Sequence, residues 1–283
     1  MKKTMKLLID GDIIAYVCSS AVQKDIDWGD GLWTCHAFLN DAVDYFKQLL
    51  GEIKSSLDLK WNRSEKLDWD NIVFCFSSSE NYRKKLNPEY KAQRVSHRKP
   101  TCYKGLVEYI KENYNSVSYG DLEGDDIISV ISTCLKNNTV IISGDKDFKT
   151  VPCSFFYNFM QDTLGYTDEK TAYKNLLKQV LTGDTADNYK GCPKIGPVTA
   201  QKLIDTNSID ISLLWNNIVV EKFKKAGLTE EDALANFNMA YLLHATDDLS
   251  HKTLPKPTFE DFIKISHTYN KLPFGDTFRG EQK

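Results

Sequence analysis

Short apolar runs alternate with longer segments of helical periodicity along the first 160 residues of the chain. The apolar runs predict buried strands, and the periodic segments predict helices. Strands that alternate with helices favour an α/β fold with a mostly parallel central sheet flanked by helices. The predicted strands cover residues 6–9, 71–76, 139–142 and 155–159, and the predicted helices cover residues 36–57, 103–114 and 124–135.

Beyond about residue 167 the pattern becomes helical throughout. We therefore place a boundary near residues 162–167, between an N-terminal region of residues 1–166 and a helical lobe of residues 167–283. Residues from 255 onward give little structural signal. The predicted helices of the lobe cover residues 172–181, 197–204, 213–226 and 230–245.

Composition narrows the class of protein without deciding its function. The 283 residues are 41% hydrophobic and 27% charged, with a net charge of −3, as in ordinary globular proteins. The seven cysteines form no CxxC pair and the five histidines no HExxH motif, which disfavours a zinc site or a disulfide framework. No apolar stretch approaches the length of a signal peptide or a membrane span, so we expect a cytoplasmic protein.

Acidic residues follow the predicted strands. Asp10 and Asp12 follow the first strand, and Asp145 and Asp147 follow the third. Sites in open α/β sheets form at the carboxyl ends of strands, so these acids are expected to converge. Another acidic group begins the helix at residue 124 and contains Glu123, Asp125 and Asp126.

Such a cluster needs cations. Two carboxylates ~6 Å apart repel each other by roughly 3 kcal/mol at an effective dielectric constant near 20. Oxygen ligands suit Mg²⁺ or Mn²⁺ better than zinc. Each acid taken alone is equally compatible with a turn or a helix N-cap, but their joint position at strand ends favours a metal site.

A second acidic segment precedes a glycine-rich turn at residues 183–205. Asp184 and Asp187 lie before Gly191 and Gly196, and a helix with proline at its first position follows. Exposed backbone N–H groups at such a helix start suit a phosphate. A plain helix–turn–helix corner is the alternative interpretation.

A basic segment covers about residues 78–104. Eight bases and the single acid Glu89 give residues 83–104 a charge of +7 within a chain of −3. Tyr82, Tyr90 and Tyr103 lie among these bases, and aromatic rings with cations are typical of a track for single-stranded nucleic acid. A solvated loop is the alternative. The bases are Arg83, Lys84, Lys85, Lys91, Arg94, Arg98, Lys99 and Lys104.

Together these motifs resemble the flap endonuclease/5′-exonuclease family in its bacteriophage branch, over about residues 6–204. The family's Tyr-Lys-x-x-Arg motif matches Tyr90, Lys91 and Arg94. Its base-stacking aromatic residue, six positions after the first Asp, matches Tyr16. Its Asp-Gly, Glu-x-Asp-Asp, Asp-Lys-Asp and Gly-Asp-x-x-Asp-Asn motifs match Asp10, Glu123, Asp125, Asp126, Asp145, Asp147, Asp184 and Asp187.

The resemblance implies a PIN-like nuclease core at residues 1–166 and a helical DNA-binding lobe at residues 167–283 that carries a helix–three-turn–helix. The implied reaction is two-metal hydrolysis of DNA near 5′ ends, nicks or flaps, with Lys91 and Arg94 stabilising charge on the phosphate. Two Mg²⁺ or Mn²⁺ ions would be held by the eight acids, and K⁺ by the hairpin. The implied DNA contacts are Tyr16, Arg83, Lys84, Gly191, Lys194, Gly196 and Lys202.

The implied setting is phage-type replication or primer removal in the host cytoplasm, with RNA–DNA hybrids as a further substrate and replication proteins as partners. Two positions depart from the family pattern. Ser77 to Ser79 stand where the family usually has an Asp after the second strand, and Val198 stands where it commonly has Lys. A short segment between Lys91 and Val107 favours exonuclease action over the threading of a long flap.

Three alternatives remain open from sequence. Residues 7–13 resemble the aspartyl-nucleophile motif of haloacid-dehalogenase-like phosphatases, with Ser77 or Ser78 as the strand-end hydroxyl. A non-catalytic helix-hairpin-helix protein would use only the turn at residues 191–200. A PIN-type ribonuclease would share the acidic sheet but usually lacks the hairpin lobe.

Overall fold

The computed structural model describes residues 4–96, 98–206, 209–247 and 257–262, so most of the C-terminal end of the predicted lobe lies outside the described residues. The strands are β1 (Thr4–Asp10), β2 (Lys24–Asp27), β3 (Trp33–His36), β4 (Lys66–Leu67), β5 (Val73–Cys75), β6 (Ser116–Val117), β7 (Thr139–Ser143), β8 (Ser154–Asn158), β9 (Thr163–Thr167), β10 (Gly183–Asp184) and β11 (Tyr189–Lys190).

The helices lie between these strands in the N-terminal region and follow one another in the C-terminal region. Short 3₁₀ turns occur at Trp69–Asn71, Ala92–Ser96, Lys146–Thr150 and Ile211–Leu213, and a π-helical turn at Trp215–Val220. The α-helices are α1 (Gly11–Val22), α2 (Leu39–Lys60), α3 (Tyr82–Leu86), α4 (Tyr103–Asn113), α5 (Gly124–Leu135), α6 (Glu169–Thr182), α7 (Pro197–Asp205), α8 (Glu221–Lys225), α9 (Glu230–Ala240) and α10 (Phe259–Phe262).

The central sheet has the strand order β6-β5-β1-β7-β8-β9, and β4 also pairs with β1. All of its pairs are parallel except β8 with β9. Ile9 of β1 lies opposite Phe74 on one side and Ile142 on the other. Helices cover both faces, which explains why the central strands are continuous apolar runs. The predicted α/β fold with a mostly parallel sheet is confirmed.

Each face of the sheet supports its own hydrophobic core. Leu7 and Ile9 pack with α1, α2 and α4 on one face. Leu8 packs on the opposite face with α5, α6 and the C-terminal helices, a core that includes Leu176 and Phe237. The helical region is therefore continuous with one layer of the sheet, and β9 occupies the predicted boundary at residues 162–167.

Features absent from the sequence interpretation include helix α1, the β2–β3 hairpin, the edge strand β9 and the π-helical turn inside residues 213–226. The predicted helix at residues 230–245 ends early, at Ala240. Side chains elsewhere in the fold bind the backbone that follows it. Asp126 accepts from Leu243 N, and Thr133 Oγ1 accepts from Ala245 N. These bonds replace the hydrogen bonds of a further helical turn.

Two expectations about the chain as a whole can be compared with the structure. All seven cysteines are free thiols. Within the described ranges, no helix combines the length and apolar character that crossing a bilayer requires.

Candidate active site at the carboxyl edge of the sheet

The first predicted acid lies at the carboxyl end of the central strand. Asp10 ends β1 and caps α1, since its Oδ1 accepts from Ile13 N at 3.1 Å. Its Oδ2 accepts from Ser143 Oγ at the end of β7, at 2.7 Å. The N-cap interpretation of Asp10 is therefore correct, and it is compatible with a site because the same side chain reaches the neighbouring strand end.

Asp10, Asp125, Asp145 and Asp147 lie at this edge without an ion pair to a described side chain, and we call them the open carboxylates. Burial and then the charge of Asp12 raise the pKa of Asp10 to about 7. Burial, followed by Asp10 and Asp145, raises the pKa of Asp125 well above its ordinary value. Burial and then Asp145 raise the pKa of Asp147 to about 7. The charge of Asp145 contributes to the raised pKa of each of the other three acids, so Asp145 lies near all of them.

No open carboxylate forms an ion pair with a described side chain. Over the described ranges, no three acidic, histidine or cysteine side chains already surround one point as metal ligands would. Buried carboxyl groups that lie close together are stable only when some of them are protonated or when a counter-charge is present. The open carboxylates therefore form an anionic cluster that favours cations, with oxygen as the donor atom.

One acid of this edge was not among the predicted ligands. Asp12, on the first turn of α1, accepts from Ser77 N and from the Tyr103 hydroxyl, both at 2.7 Å. Its charge is the second cause of the raised pKa of Asp10. Ser77 stands where the family usually has an Asp, and Asp12 places a carboxylate against that strand end. The acid two positions after Asp10 was the available sequence signal.

A second group of acids lies beside the first, and we call Glu123, Asp126 and Asp187 the paired carboxylates. Glu123 Oε1 lies 2.5 Å from Lys91 Nζ, and its Oε2 lies 2.8 Å from Arg83 Nη1. Burial acts to raise the pKa of Glu123, but these two cations outweigh it and hold the pKa at about 2. Glu123 is therefore a stable anion without any metal ion.

Arg83 and Asp126 pair with each other in the interior. Arg83, predicted to bind DNA, is only 1% exposed, and its two terminal nitrogens bind Asp126 at 2.6 and 2.7 Å. Asp126, predicted to bind metal, has no exposed surface, and its Oδ1 also accepts from Leu243 N. The two side chains neutralise each other in the interior, where Arg83 is not available to DNA. The metal-binding role of Asp126 stays a prediction.

The predicted aromatic track is wrong. Tyr82, Tyr90 and Tyr103 are buried rather than exposed to a nucleic-acid strand. The Tyr90 hydroxyl donates to Glu123 at 3.1 Å and to Asp187 at 2.9 Å. The tyrosines that alternate with lysine and arginine thus anchor the basic segment to the site. They are not placed to stack on nucleobases.

Lys91 and Arg94 connect the basic segment to the second acidic segment. Lys91 Nζ lies 3.6 Å from Asp187, and Arg94 Nη2 donates to Asp187 at 2.7 Å. Burial raises the pKa of Asp187, and Lys91 and then Arg94 act against that rise. The structure therefore brings the cations Lys91 and Arg94 together with the carboxylates of Glu123 and Asp187.

The turn at residues 183–190 folds as a β-hairpin between α6 and α7. Gly191 is required by the chain's own packing, because a Cβ there would lie 2.2 Å from the carbonyl carbon of Thr182. That explanation differs from the predicted approach of DNA to Gly191. Gly196, in contrast, has open space around it and precedes α7.

Several predicted DNA contacts lie on exposed surface. Tyr16 on α1 is 50% exposed, and Lys84, Lys194 and Lys202 are exposed. Asp184 lies 3.8 Å from Lys146, which is next to two open carboxylates. The roles of these side chains remain predictions, since their placement is compatible with a bound duplex without requiring one.

Comparison with known proteins identifies the family. Residues 7–175 match the family described as the 5′-3′ exonuclease, N-terminal resolvase-like domain. The exodeoxyribonuclease of Enterobacteria phage T3 is 34% identical over 200 residues, which cover 67% of this chain and 63% of that protein. The exonuclease of Escherichia phage T7 is 29% identical over 273 residues, which cover 84% of this chain and 87% of that protein.

The fold is similar to that of a solved structure, the bacteriophage T5 flap endonuclease in a complex with DNA and metal ions. The two share 15% identity with a TM-score of 0.56, over 83% of this chain and 88% of that one. The family resemblance inferred from the motifs is confirmed, and it disfavours the phosphatase alternative. The chain belongs to the 5′-3′ exonuclease family.

Proposed function

We propose that this protein is a metal-dependent nuclease that hydrolyses DNA phosphodiesters near 5′ ends, nicks and flaps. The observation that carries the proposal is the convergence of the open carboxylates beside the cations Lys91 and Arg94. A cluster of carboxylates that would bind metal ions, next to fixed positive charge, suits a phosphate diester. The names of the T3 and T7 relatives and the DNA and metal ions of the T5 complex support this substrate class.

Carboxylate oxygens are the donors that divalent cations of the Mg²⁺ or Mn²⁺ type prefer, and binding of two ions would draw these side chains together. Asp10, Asp125 and Asp145 would hold one ion, and Asp147 with Asp184 would hold the second. Bound ions of this type supply charge neutralisation and a more acidic water molecule. Glu123 and Asp187, which are already ion-paired, would act through Lys91 and Arg94 rather than as direct ligands.

In this proposal Lys91 supplies positive charge and a hydrogen-bond donor to the scissile phosphate. Burial acts to lower its pKa, but Glu123, Asp187 and Asp125 together raise it, so the side chain stays protonated at neutral pH. A protonated amine held beside the carboxylates can donate to a non-bridging oxygen of the scissile phosphate. Arg94, whose side chain is 53% exposed, can contact the same or the next phosphate.

The exposed start of α7 is the proposed contact with duplex DNA. Gly196 leaves the first backbone N–H groups of the helix accessible, and Lys194 and Lys202 add positive charge. A K⁺ ion at this hairpin, RNA–DNA hybrids as substrates, replication proteins as partners and a role in primer removal belong to the same proposal. Tyr16, on the surface of α1, would stack on the terminal base.

Digestion of defined duplexes tests the proposal. Nicked, flapped and blunt 5′-labelled duplexes would be incubated with Mg²⁺, with Mn²⁺ or with a chelator, and p-nitrophenyl phosphate would be assayed in parallel. We expect metal-dependent release of 5′-phosphorylated mononucleotides or short oligonucleotides. Hydrolysis of p-nitrophenyl phosphate without cleavage of DNA would contradict the proposal.

A further inference from the structure

Arg83 joins three parts of the chain that are far apart in sequence. Its Nη1 donates to Glu123 at 2.8 Å and to Asp126 at 2.6 Å. Its Nη2 donates to Asp126 at 2.7 Å and to the backbone oxygen of Tyr241 at 2.6 Å. The basic segment, the start of α5 and the chain after α9 therefore meet at one guanidinium group.

The geometry points to Arg83 as a positioning residue of the active site. We propose that Arg83 sets the orientation of Glu123 and, through Glu123, that of Lys91. This inference rests on the proposed function, because it assigns Lys91 the contact with the scissile phosphate.

The hydrogen bonds around Glu123 support this role. One carboxylate oxygen accepts from Arg83 and Tyr90, and the other accepts from Lys91 at 2.5 Å. Glu123 is thus fixed by Arg83 on one side and holds the catalytic amine on the other. A displacement of Arg83 would therefore move Lys91 relative to the open carboxylates, and small displacements of reacting groups reduce rates strongly.

A guanidinium group is needed for these contacts. Arginine presents a planar fork that can serve two carboxylates and a carbonyl at once, whereas lysine presents one point charge. Arg83 is almost fully buried, so it cannot reach a DNA strand. Its effect on cleavage must therefore pass through the residues that it orients.

The connection to Tyr241 extends this role to the C-terminal region. Asp126, held by Arg83, also accepts from Leu243 N at 3.2 Å. The segment 241–245 is thus bound to the start of α5, which carries Glu123 and Asp125. The position of the C-terminal helices and the geometry of the acidic edge are coupled through one buried ion pair.

The test removes both charges of the Arg83–Asp126 pair and leaves Glu123 with Lys91 as its cation. In Arg83→Met with Asp126→Asn, the charges cancel and asparagine can still accept from Leu243 N. Neutralising the ion pair Lys6–Asp68, 3.1 Å apart and partly buried at the opposite end of β1, gives a matched control, Lys6→Met with Asp68→Asn. Folding would be checked by circular dichroism and thermal melting for both.

We expect kcat of the Arg83/Asp126 variant to fall on the order of 10–100-fold. Its Kd for a flapped duplex, measured in Ca²⁺, should stay within threefold of the parent protein, and the control should keep the parent kcat. Hydrogen exchange should rise together at residues 121–126 and 241–245 in the Arg83/Asp126 variant alone. A folded variant with kcat within threefold of the parent, or with unchanged exchange, would overturn the inference.

A second variant covers failure of the first to fold. Arg83→Lys keeps the positive charge but cannot bridge Glu123, Asp126 and Tyr241 at once, so we expect kcat to fall more than tenfold with DNA affinity retained. Parent-like kcat in this variant would also overturn the inference. A parent protein that cleaves no DNA would instead refute the proposed function itself, so the two failures are distinguishable.

Discussion

The open and the paired carboxylates lie side by side, and the pKa values of Asp10 and Glu123 are shifted in opposite directions. Asp10 and Asp147 have pKa values raised to about 7, mainly by burial and then by neighbouring acids. Glu123, equally buried, has its pKa held at about 2 because Lys91 and Arg83 outweigh the cost of burial. Burial alone therefore does not decide the state of an acid. At Glu123 two fixed cations outweigh burial, whereas at Asp187 Lys91 and Arg94 reduce the rise in pKa without cancelling it. The open group has no ion pair with a described side chain, so we expect it to need a bound metal ion.

The largest expected loss of cleavage follows from a substitution in the open group. Replacing Asp145 with Asn removes one charge from the cluster while keeping an oxygen that can accept from Asp147 N, as Asp145 does at 2.9 Å. We expect cleavage to fall by at least about 10³-fold, as for other losses of essential charge stabilisation. DNA affinity in Ca²⁺ should be retained. Turnover near the parent rate would remove Asp145 from the site.

In the paired group, the next largest effect on cleavage is expected from removal of the cation Lys91. Lys91→Met keeps the length of the side chain but removes the donor held by Glu123, so we expect kcat to fall on the order of 10²-fold with a smaller change in KM. Steady-state kinetics on a flapped duplex would measure both. A rise in KM alone would mean that Lys91 only binds substrate.

The pH dependence of stability separates the groups. The folded-state pKa values of Asp10 and Asp147, about 7, exceed the ordinary value of 3.8. The folded protein therefore binds more protons than the unfolded chain, and without metal its free energy of unfolding should fall as pH rises from about 4 to 7. The lowered pKa of Glu123 has the opposite sign, with loss of stability only as pH falls below about 4.5.

Thermal melting with a chelator should therefore show a lower midpoint at pH 8 than at pH 5.5, by more than about 3 °C. Adding Mn²⁺ at pH 8 should recover the loss, since metal binding competes with protons for the same oxygens. Equal midpoints at both pH values, with no effect of Mn²⁺, would contradict the raised pKa values.

How much of this could be predicted from sequence differs between the two groups. Strand ends were visible as apolar runs followed by acid, which placed Asp10, Asp145 and Asp147 correctly at one edge. Arg83 could not be assigned, because a base within a basic run is usually solvated and its partners lie 43 and 158 positions away. Pairing over such distances is set by tertiary packing, which local patterns do not contain.

The same limit explains the early end of α9. Residues 241–245 continue the helical pattern, but Asp126 and Thr133 bind their backbone N–H groups. The sequence shows an acid at Asp12 but not that this acid lies at the end of the second strand. Only the fold shows that the Asp12 carboxylate contacts Ser77 N.

The smallest expected effect lies away from both groups. Lys194→Ala should weaken binding of duplex DNA several-fold and reduce the salt slope by about one unit if the side chain neutralises one phosphate. Lys149, which is exposed on the 3₁₀ turn after Asp147, offers a surface lysine outside the α7 contact as a control. Binding titrations at several salt concentrations measure the slope. Identical slopes for the Lys194 variant and the parent would remove this residue from the interface.

Two adjacent residues provide the most direct test of the account. Asp125 is open and Asp126 is paired, although both lie in the first turn of α5. In the absence of metal, Asp125→Asn should raise the free energy of unfolding, because it removes repulsion. Asp126→Asn should lower it by about 3–5 kcal/mol, because it leaves Arg83 buried without its main partner. Denaturant unfolding in a chelator measures both, and shifts of the same sign would contradict the division into open and paired acids.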